Sequence, residues 1–407
     1  MNLIPLPIRT DRTLKKVPYV TYTLCFLNIF VFLNQIGMSQ SERDAAAHQW
    51  GFIVSQPSIV TLFTSGFLHG DILHLFSNLL ILWLVGTVLE AGIGSAVFLL
   101  FYLASLVCAT TLYGVISRLF MHDSLHIPLI GASGAISGVT GLAAFRYFRL
   151  RVLTIPIISF GFLPIPIPIM VWVPMWAYAL YFAAKELVAG FNLLTNNTDN
   201  MVAHWAHIGG LVMGVLMALL LKAVNEGRRE CALEDSTRAA AGEKPRERSL
   251  QEVRELLRLH PNDPELMEAM AGLLMVQGHW AKSRDIYLKA VHLFVAAGQR
   301  DRAAISYLNA LRAFPNTLLP PREQMTMAST LEALGHFREA VQAFGLIIEH
   351  YPDREEAETS LLRAALIYQR YLNDMPAAER LLKYFIERYP ESHWHNLAQD
   401  RLKDLVR

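Results

Sequence analysis

The order of hydrophobic and polar positions divides the chain in two. From Val17 to Leu221 the residues are mostly apolar, whereas beyond Lys222 the chain becomes helical, charged and typical of a soluble domain. The pattern predicts an all-α protein: a six-helix transmembrane bundle over 1–225, a charged linker over 226–249 and a soluble helical repeat solenoid over 250–407. The linker is expected to be too polar to bury a core of its own.

The apolar half predicts six spanning helices, at about 17–36, 72–90, 95–116, 130–145, 170–191 and 203–221. The first follows a basic N-terminus, as in a signal peptide, but it is long enough to span and no convincing cleavage site follows it. The stretch 154–174 is apolar and rich in proline. We expect part of it to run along the membrane surface or to begin the fifth span irregularly.

Basic residues predict the orientation of these helices. With both termini in the cytoplasm, the opposite loops contain only Arg43 and Arg118. The cytoplasmic side then holds Arg9, Arg12, Lys15, Lys16, Arg146, Arg149, Arg151, Lys222, Arg228 and Arg229. This asymmetry follows the positive-inside rule. The compact layout without a targeting extension favours the inner (plasma) membrane of a bacterium.

Composition supports a membrane protein and narrows the chemistry. The chain is 53% hydrophobic and 17% charged, whereas soluble domains are about a quarter charged. A net charge of +1 identifies no class of partner. We predict that the protein does not bind nucleic acid. The cysteines at 25, 108 and 231 lack metal-like spacing, so we expect neither disulfides nor zinc. No cofactor and no metal are predicted.

Three polar clusters are predicted at one depth, because the second, fourth and sixth helices enter from the same face. They are His74 with Asn78, then Ser133, then His204 with His207. Any single histidine is more simply a hydrogen-bonding partner of a neighbouring helix. The coincidence of all three clusters favours a functional site.

Ser133 is the candidate nucleophile and His207 the candidate base. Small residues around the serine have a plainer interpretation, close helix packing. The two interpretations are compatible, because Gly134 on the fourth helix and Gly210 and Gly214 on the sixth form smooth faces that can meet. His204 lies one turn before His207 and stays an alternative base.

A reaction at a carbonyl also needs donors for the developing oxyanion. His74 and Asn78 are four residues apart and share a helix face. The backbone N–H of Ser133 is a third donor. No acidic residue is obviously placed to orient the base, because Glu90 lies at the wrong end of its helix and Asp199 lies in a loop. A Ser–His dyad is therefore the more economical prediction.

These motifs together resemble the rhomboid intramembrane serine proteases over roughly 15–225. The segments that carry the resemblance are His69-Gly70-Asp71-Ile72-Leu73-His74 with Asn78, Gly131-Ala132-Ser133-Gly134, and Ala206-His207-Ile208-Gly209-Gly210 with Gly214. The resemblance implies that Ser133 is the nucleophile, His207 the general base, and His74 and Asn78 the oxyanion partners. It also implies a structural role for His69 in the outer loop and for Gly86 and Glu90 in helix packing.

The chain departs from that family at three places. Ser137 stands where some relatives have a tyrosine that packs on the histidine, and His204 stands where relatives often have an aromatic residue. The family's Trp-Arg element of the first outer loop is not evident, although Trp50-Gly51-Phe52 lies there. These differences concern substrate gating more than the chemistry.

The polar half repeats at a period of 37 to 38 residues. Glycine, alanine, aromatic and proline positions recur in step: Gly298 and Gly335; Ala303, Ala340 and Ala378; Tyr307 and Phe344; Pro315, Pro352 and Pro390. The stretch 263–291 fits as a further, irregularly spaced copy. The pattern resembles tetratricopeptide repeats, three to four of them, and predicts a concave protein-binding surface. A solenoid without a partner is the alternative.

The sequence thus predicts an intramembrane serine endopeptidase whose substrates are membrane proteins with a transmembrane helix. Its cytoplasmic repeat domain is predicted to bind a protein that the sequence does not identify. A catalytically silent membrane adaptor is the alternative, although such a protein is expected to have lost Ser133 or His207. A small transporter is disfavoured, because the sequence contains no repeated pair of broken helices.

Overall fold

The computed structural model describes residues 2–11, 16–160, 163–166, 169–196, 204–243 and 248–406. The chain forms two compact units, Met1–Gly227 and Arg228–Arg407. The helices of the first unit are α1 (Tyr19–Ile36), α2 (Gln40–Trp50), α3 (Ile59–Thr64), α4 (Ile72–Ile81), α5 (Thr87–Ile93), α6 (Ser95–Phe120), α7 (Ser133–Arg146), α8 (Met175–Asn196) and α9 (His204–Leu220). A π-helical turn, Leu82–Gly86, joins α4 and α5.

Helices occupy all six positions predicted for spans, but fewer have the length and apolarity to cross a membrane. Among the described residues three do: Tyr19–Ile36, Ile72–Ile93 and Ser95–Phe120. Counting the bent pair His204–Leu220 and Ala223–Ala239 as one span gives a fourth. The chain is therefore an integral membrane protein, and a bundle of six spans stays a proposal.

The prediction of an all-α chain is wrong for the N-terminus and for the stretch before α8. Strand β1 (Asn2–Thr10) pairs antiparallel with β2 (Arg151–Phe160), which also pairs with β3 (Leu163–Pro166) and β4 (Val171–Pro174). These segments combine β-branched residues with proline, which lacks the backbone donor that a helix needs and is compatible with extended chain. The rest of the fold is mostly helical, as predicted.

Glu90, in the first turn of α5, connects that helix to the starts of α1 and α6. Its buried carboxylate accepts hydrogen bonds from the N–H groups of Val20 (2.9 Å) and Thr21 (2.7 Å). It also accepts from the hydroxyls of Thr21 (2.7 Å) and Ser95 (2.6 Å). The residue before α1 is Pro18, which has no side-chain cap, so Glu90 satisfies the free donors of that helix from a distance.

The second unit consists of helices joined in pairs. Helix α10 (Ala223–Ala240) begins a few residues before the start of this unit. The other helices of the unit are α11 (Ser249–Leu259), α12 (Pro264–Val276), α13 (Trp280–Ala296), α14 (Arg300–Ala313), α15 (Pro321–Ala333), α16 (Phe337–His350), α17 (Glu355–Ile367), α18 (Met375–Arg388) and α19 (His395–Val406). Left-handed turns at Gly278, Gly298, Gly335 and Asn373 each precede one helix of the array.

The repeated positions of the sequence are core positions of this unit. Ala303, Ala340 and Ala378 lie five residues after a left-handed turn and are fully buried. The third repeat has no glycine at this turn, and Asn373 takes its place. Asn373 adopts at φ +53° the left-handed conformation that glycine adopts in the other turns. Asparagine tolerates this region better than most residues with a side chain.

The polar stretch predicted as a linker is largely helical. Residues 227–240 belong to α10, which contributes Ala232 and Ala239 to a buried cluster with Val253 and Leu256 of α11. Its small alanines let two otherwise charged helices approach, so a segment of low hydropathy still buries one narrow face. The segment predicted as a linker too polar to bury a core is therefore, over these residues, a helix that buries one face against α11.

Candidate active site

Glycines bring α7 and α9 into backbone contact. A Cβ atom at Gly210 would overlap the carbonyl oxygen of Gly134, and one at Gly138 would come within 3.1 Å of the Gly210 carbonyl oxygen. One turn further on, a Cβ at Gly214 would meet the backbone of Gly138 and Leu142. Because nothing larger fits between the helices, side chains at their N-terminal ends meet at hydrogen-bonding distance.

Ser133 and His207 meet at that end. The hydroxyl Oγ of Ser133 lies 2.8 Å from Nε2 of His207, although 74 residues separate them in sequence. Ser133 is the first residue of α7, and His207 lies in the first turn of α9. Both residues are partly buried. The pair has the geometry in which an imidazole removes a hydroxyl proton.

A third residue contacts this imidazole from α8. The carboxylate oxygen Oε2 of Glu186 lies 2.7 Å from Nδ1 of His207 and 2.7 Å from Nδ1 of His204. Sequence reasoning missed Glu186, having weighed only Glu90, which caps α1, and Asp199, which lies outside the described residues. A signal was present: Glu186 is a charged residue in a mostly apolar helix, where ionisable groups are by default functional.

An aromatic ring also packs on His207. The ring of Phe182, one turn before Glu186 on α8, has its centroid 5.8 Å from that of the imidazole. Ser137, where some relatives have a packing tyrosine, instead donates its hydroxyl to the carbonyl of Ser133 at 2.8 Å. The imidazole thus receives its aromatic contact from α8 and not from the helix that carries Ser133.

His74 stands beside Ser133, the candidate nucleophile. Its Cε1 and Nε2 atoms lie 2.8 Å from the place of a Cβ on Gly131, and Oγ of Ser133 lies 3.7 Å from that place. Gly131 adopts φ +119°, and its N–H donates to the carbonyl of Ser65 at 2.9 Å. The bare glycine backbone thus lets the imidazole lie next to the serine.

Asn78 is placed differently from His74. Its side-chain amide nitrogen lies 2.9 Å from Nε2 of His69, and both residues are buried. Burial lowers the pKa of His69 to about 4, so its ring is neutral at pH 7 and Nε2 can accept the amide hydrogen. His69 is also connected to α1, because its N–H donates to Oε1 of Gln35 at 3.2 Å. Asn78 therefore has one amide hydrogen left for another acceptor.

Glu186, His204 and His207 are the residue types that bind zinc, and their ligand atoms lie within 4.8 Å of one another. Oε2 of Glu186 lies 2.7 Å from Nδ1 of each histidine, which is a hydrogen-bond length. A tetrahedral zinc ion, with bonds of roughly 2.0–2.1 Å, holds its ligand atoms more than about 3 Å apart. The cluster is thus arranged as a hydrogen-bonded network, and the absence of a metal stays a prediction.

Residues 56–224 match the Rhomboid domain family, and residues 359–392 match a tetratricopeptide repeat family. The chain is 30% identical over 193 residues to "Rhomboid protein 1, mitochondrial" of Saccharomyces cerevisiae, a match covering 47% of this chain and 49% of that protein. It is 29% identical over 208 residues to "Rhomboid protease GluP" of Bacillus subtilis, covering 50% of this chain and 35% of that protein. The matches thus span about half or less of these relatives.

Among solved structures, the chain is similar to "Crystal structure of YrrB: a TPR protein with an unusual peptide-binding site". The identity is 19% and the TM-score 0.21, with 46% of this chain and 90% of that chain covered.

Proposed function

Because the chain contains a rhomboid domain over residues 56–224 and a tetratricopeptide-like C-terminal region, we propose that it is an intramembrane serine endopeptidase. Its substrates are membrane proteins, cut near the outer end of a transmembrane helix. The observation that carries the proposal is the 2.8 Å contact between Ser133 Oγ and His207 Nε2. A silent adaptor has no need to keep a nucleophile and a base in this geometry.

Ser133 and His207 perform the reaction in two steps. Oγ of Ser133 attacks the scissile carbonyl carbon as its proton passes to Nε2 of His207, and the carbonyl electron pair moves onto oxygen. When the C–N bond breaks, the same proton passes to the leaving amine and an acyl-enzyme remains. Water then gives a proton to His207 and its hydroxyl to the acyl carbon. The serine recovers its proton as the carboxyl product leaves.

The oxyanion is stabilised by donors around Ser133. His74 lies against Gly131 beside the hydroxyl, and the N–H of Ser133 is free at the start of α7. Asn78 contributes through the amide hydrogen that His69 does not use. Removal of one such donor typically lowers kcat by about 10²- to 10³-fold.

The protease domain is proposed as six membrane spans with both termini in the cytoplasm of a bacterium. Helices at all six predicted positions support this count, and the distribution of lysine and arginine supports the orientation. The repeat domain is then cytoplasmic. Its helix pairs, joined by left-handed turns, form the type of array that binds other proteins on a concave face.

The test is cleavage of a reporter protein with one transmembrane helix by the purified full chain in liposomes. Ser133→Ala is expected to lower kcat by more than about 10³-fold and to abolish labelling by a fluorophosphonate. Ser137→Ala is the matched control, because it removes a serine hydroxyl one turn away on the same helix. Cleavage by Ser133→Ala at the rate of the unsubstituted protein would refute the proposal and favour the adaptor.

A further inference from the structure

Glu186 is a buried carboxylate with an unusual set of partners. Its side chain is 2% exposed, yet one oxygen, Oε2, receives hydrogen bonds from two histidines of α9 at 2.7 Å each. Burying a carboxylate is costly unless it is paired and hydrogen-bonded. Its second oxygen lies 3.6 Å from the half-exposed ammonium of Lys185. The carboxylate is therefore stabilised by two hydrogen bonds at Oε2 and by an ammonium group near its other oxygen.

The carboxylate determines which nitrogen of His207 carries the proton. An ionised carboxylate can only accept, so Nδ1 of His207 must be the donor in this contact. In the neutral ring, Nε2 then has a free lone pair, and Nε2 is the atom 2.8 Å from Ser133 Oγ. Glu186 thereby selects the tautomer in which His207 can take the serine proton.

The same contact stabilises the charge that the reaction creates. When His207 accepts the proton it becomes an imidazolium, and the Glu186 carboxylate already lies 2.7 Å from its Nδ1–H. No rearrangement is needed at that moment, because the negative charge is in place before the reaction. In a partly buried site the attraction between the two groups exceeds its value in water.

His204 holds the carboxylate in position. It lies one turn before His207 on α9, with its ring nearly perpendicular (84°) to that of His207. Because its Nδ1 donates to the same Oε2, Glu186 is fixed between two rings of one helix. Phe182 completes the arrangement from α8, one turn from Glu186, and its ring restricts tilting of the His207 imidazole.

We propose that Ser133, His207 and Glu186 form a catalytic triad, with Glu186 as a positioning residue and His204 as the residue that holds Glu186 in place. The proposal rests on the proposed protease function and assigns the base a partner that a dyad lacks. Glu186 stays ionised throughout the cycle, and the proton moves only between Ser133, His207, the leaving amine and water.

Kinetics of the full chain in liposomes tests this proposal. Glu186→Gln is expected to lower kcat by about 10²- to 10⁴-fold with KM little changed, because a neutral amide no longer enforces the tautomer or balances the imidazolium. Glu186→Asp is expected to restore part of the loss. The rate of fluorophosphonate labelling of Ser133 should fall in parallel, since labelling needs the same activated hydroxyl.

Glu90→Gln is the matched control, because it neutralises another buried carboxylate that does not touch the imidazoles. It is expected to lower thermal stability while leaving kcat of the folded fraction within about threefold. If Glu186→Gln behaves in the same way, with kcat unchanged, the triad is refuted. If the unsubstituted chain neither cleaves nor labels, the proposed function itself fails, which is a different outcome.

His204 is tested by a double-mutant cycle. His204→Phe keeps a ring and removes the donor to Glu186, and we expect kcat to fall by about 10-fold. In combination with Glu186→Gln it should cause little additional loss, because both act through one carboxylate. Full additivity of the two losses would refute the role of His204. If Glu186→Gln does not fold, Glu186→Asp and His204→Phe decide: unchanged kcat in both refutes the triad.

Discussion

The imidazole of His74 lies directly over the backbone of Gly131. A Cβ atom on Gly131 would come within 2.8 Å of both Cε1 and Nε2 of that ring, which real contacts of Cβ atoms essentially never reach. His74 lies in the first turn of α4, whereas Gly131 lies two residues before α7, 57 positions further along the chain. The glycine of the serine motif therefore provides space for a neighbouring histidine as well as a turn before α7.

Gly131→Ala is expected to slow cleavage strongly by displacing His74 from the serine. Gly94→Ala is the matched control, because Gly94 also has a left-handed φ (+85°) but no heavy atom within 4 Å of its Cβ position. Both changes strain the backbone by about 1–2 kcal/mol. Only Gly131→Ala should lower kcat, by about 10²-fold or more. Equal activities of the two folded variants would contradict the role of this close approach.

Gly210→Ala is expected to separate α7 from α9, because a Cβ there overlaps the carbonyl of Gly134. The Ser133–His207 contact at the end of the two helices should then be lost, with a fall in kcat and a destabilisation of about 1–3 kcal/mol. Gly345→Ala, in the middle of α16 with nothing near its Cβ position, is the control. It should raise stability by up to about 1 kcal/mol. Thermal unfolding in detergent together with the cleavage assay distinguishes the two.

Glu90→Ala is expected to lower the free energy of unfolding by about 3 kcal/mol, because the donors at the start of α1 lose a buried acceptor. Thr21→Val removes only one of these hydrogen bonds and should lower it by about 1 kcal/mol. The measurement is the unfolding midpoint in detergent, with fluorophosphonate labelling to count folded protein. A smaller loss for Glu90→Ala than for Thr21→Val would contradict the capping role.

We expect Asp263 to make the stability of the second unit sensitive to acid. Burial opposes its charge, but hydrogen bonds from Arg229 and from the N–H groups of Leu266 and Glu265 outweigh this and hold its pKa below the usual range. A lowered folded-state pKa stabilises the fold above the unfolded pKa of about 3.9, and this contribution is lost as the pH falls below it.

Asp263→Asn should therefore reduce protection of α12 amides from hydrogen exchange at pH 7, corresponding to about 1–2 kcal/mol. The difference from the unsubstituted chain should shrink as the pH falls from about 5 to about 3. The side chain of Arg284 forms an exposed ion pair with the neighbouring Asp285, so Asp285→Asn is the control and should change little. A difference that grows at low pH would contradict the assignment.

Local patterns in the sequence were enough to locate helices at the six predicted span positions and two of the repeated turns. Apolar runs predicted α1 and α6 to within a few residues, and glycines five residues before a buried alanine marked the turns at Gly298 and Gly335. The third turn was harder to recognise, since Asn373 replaces glycine there. These features are encoded within one or two helical turns, where propensity and periodicity act.

Contacts between distant segments could not be obtained in this way. Strand β1 pairs with β2 across about 140 residues, with Thr10 opposite Val152, and neither segment alone specifies its partner. The same holds for Glu186, whose charge within α8 was visible but whose target was not.

The sequence by itself determined the membrane and repeat halves, the serine, the histidine and the glycines that let their helices meet. Only the tertiary structure decided that α8 places Glu186 and Phe182 against His207 and that His204 shares the same carboxylate oxygen. It also decided that the side-chain amide of Asn78 forms a hydrogen bond with His69. The physical reason is that hydrophobic periodicity specifies which face of a helix is buried, whereas the neighbour against which that face packs depends on the whole assembly of helices.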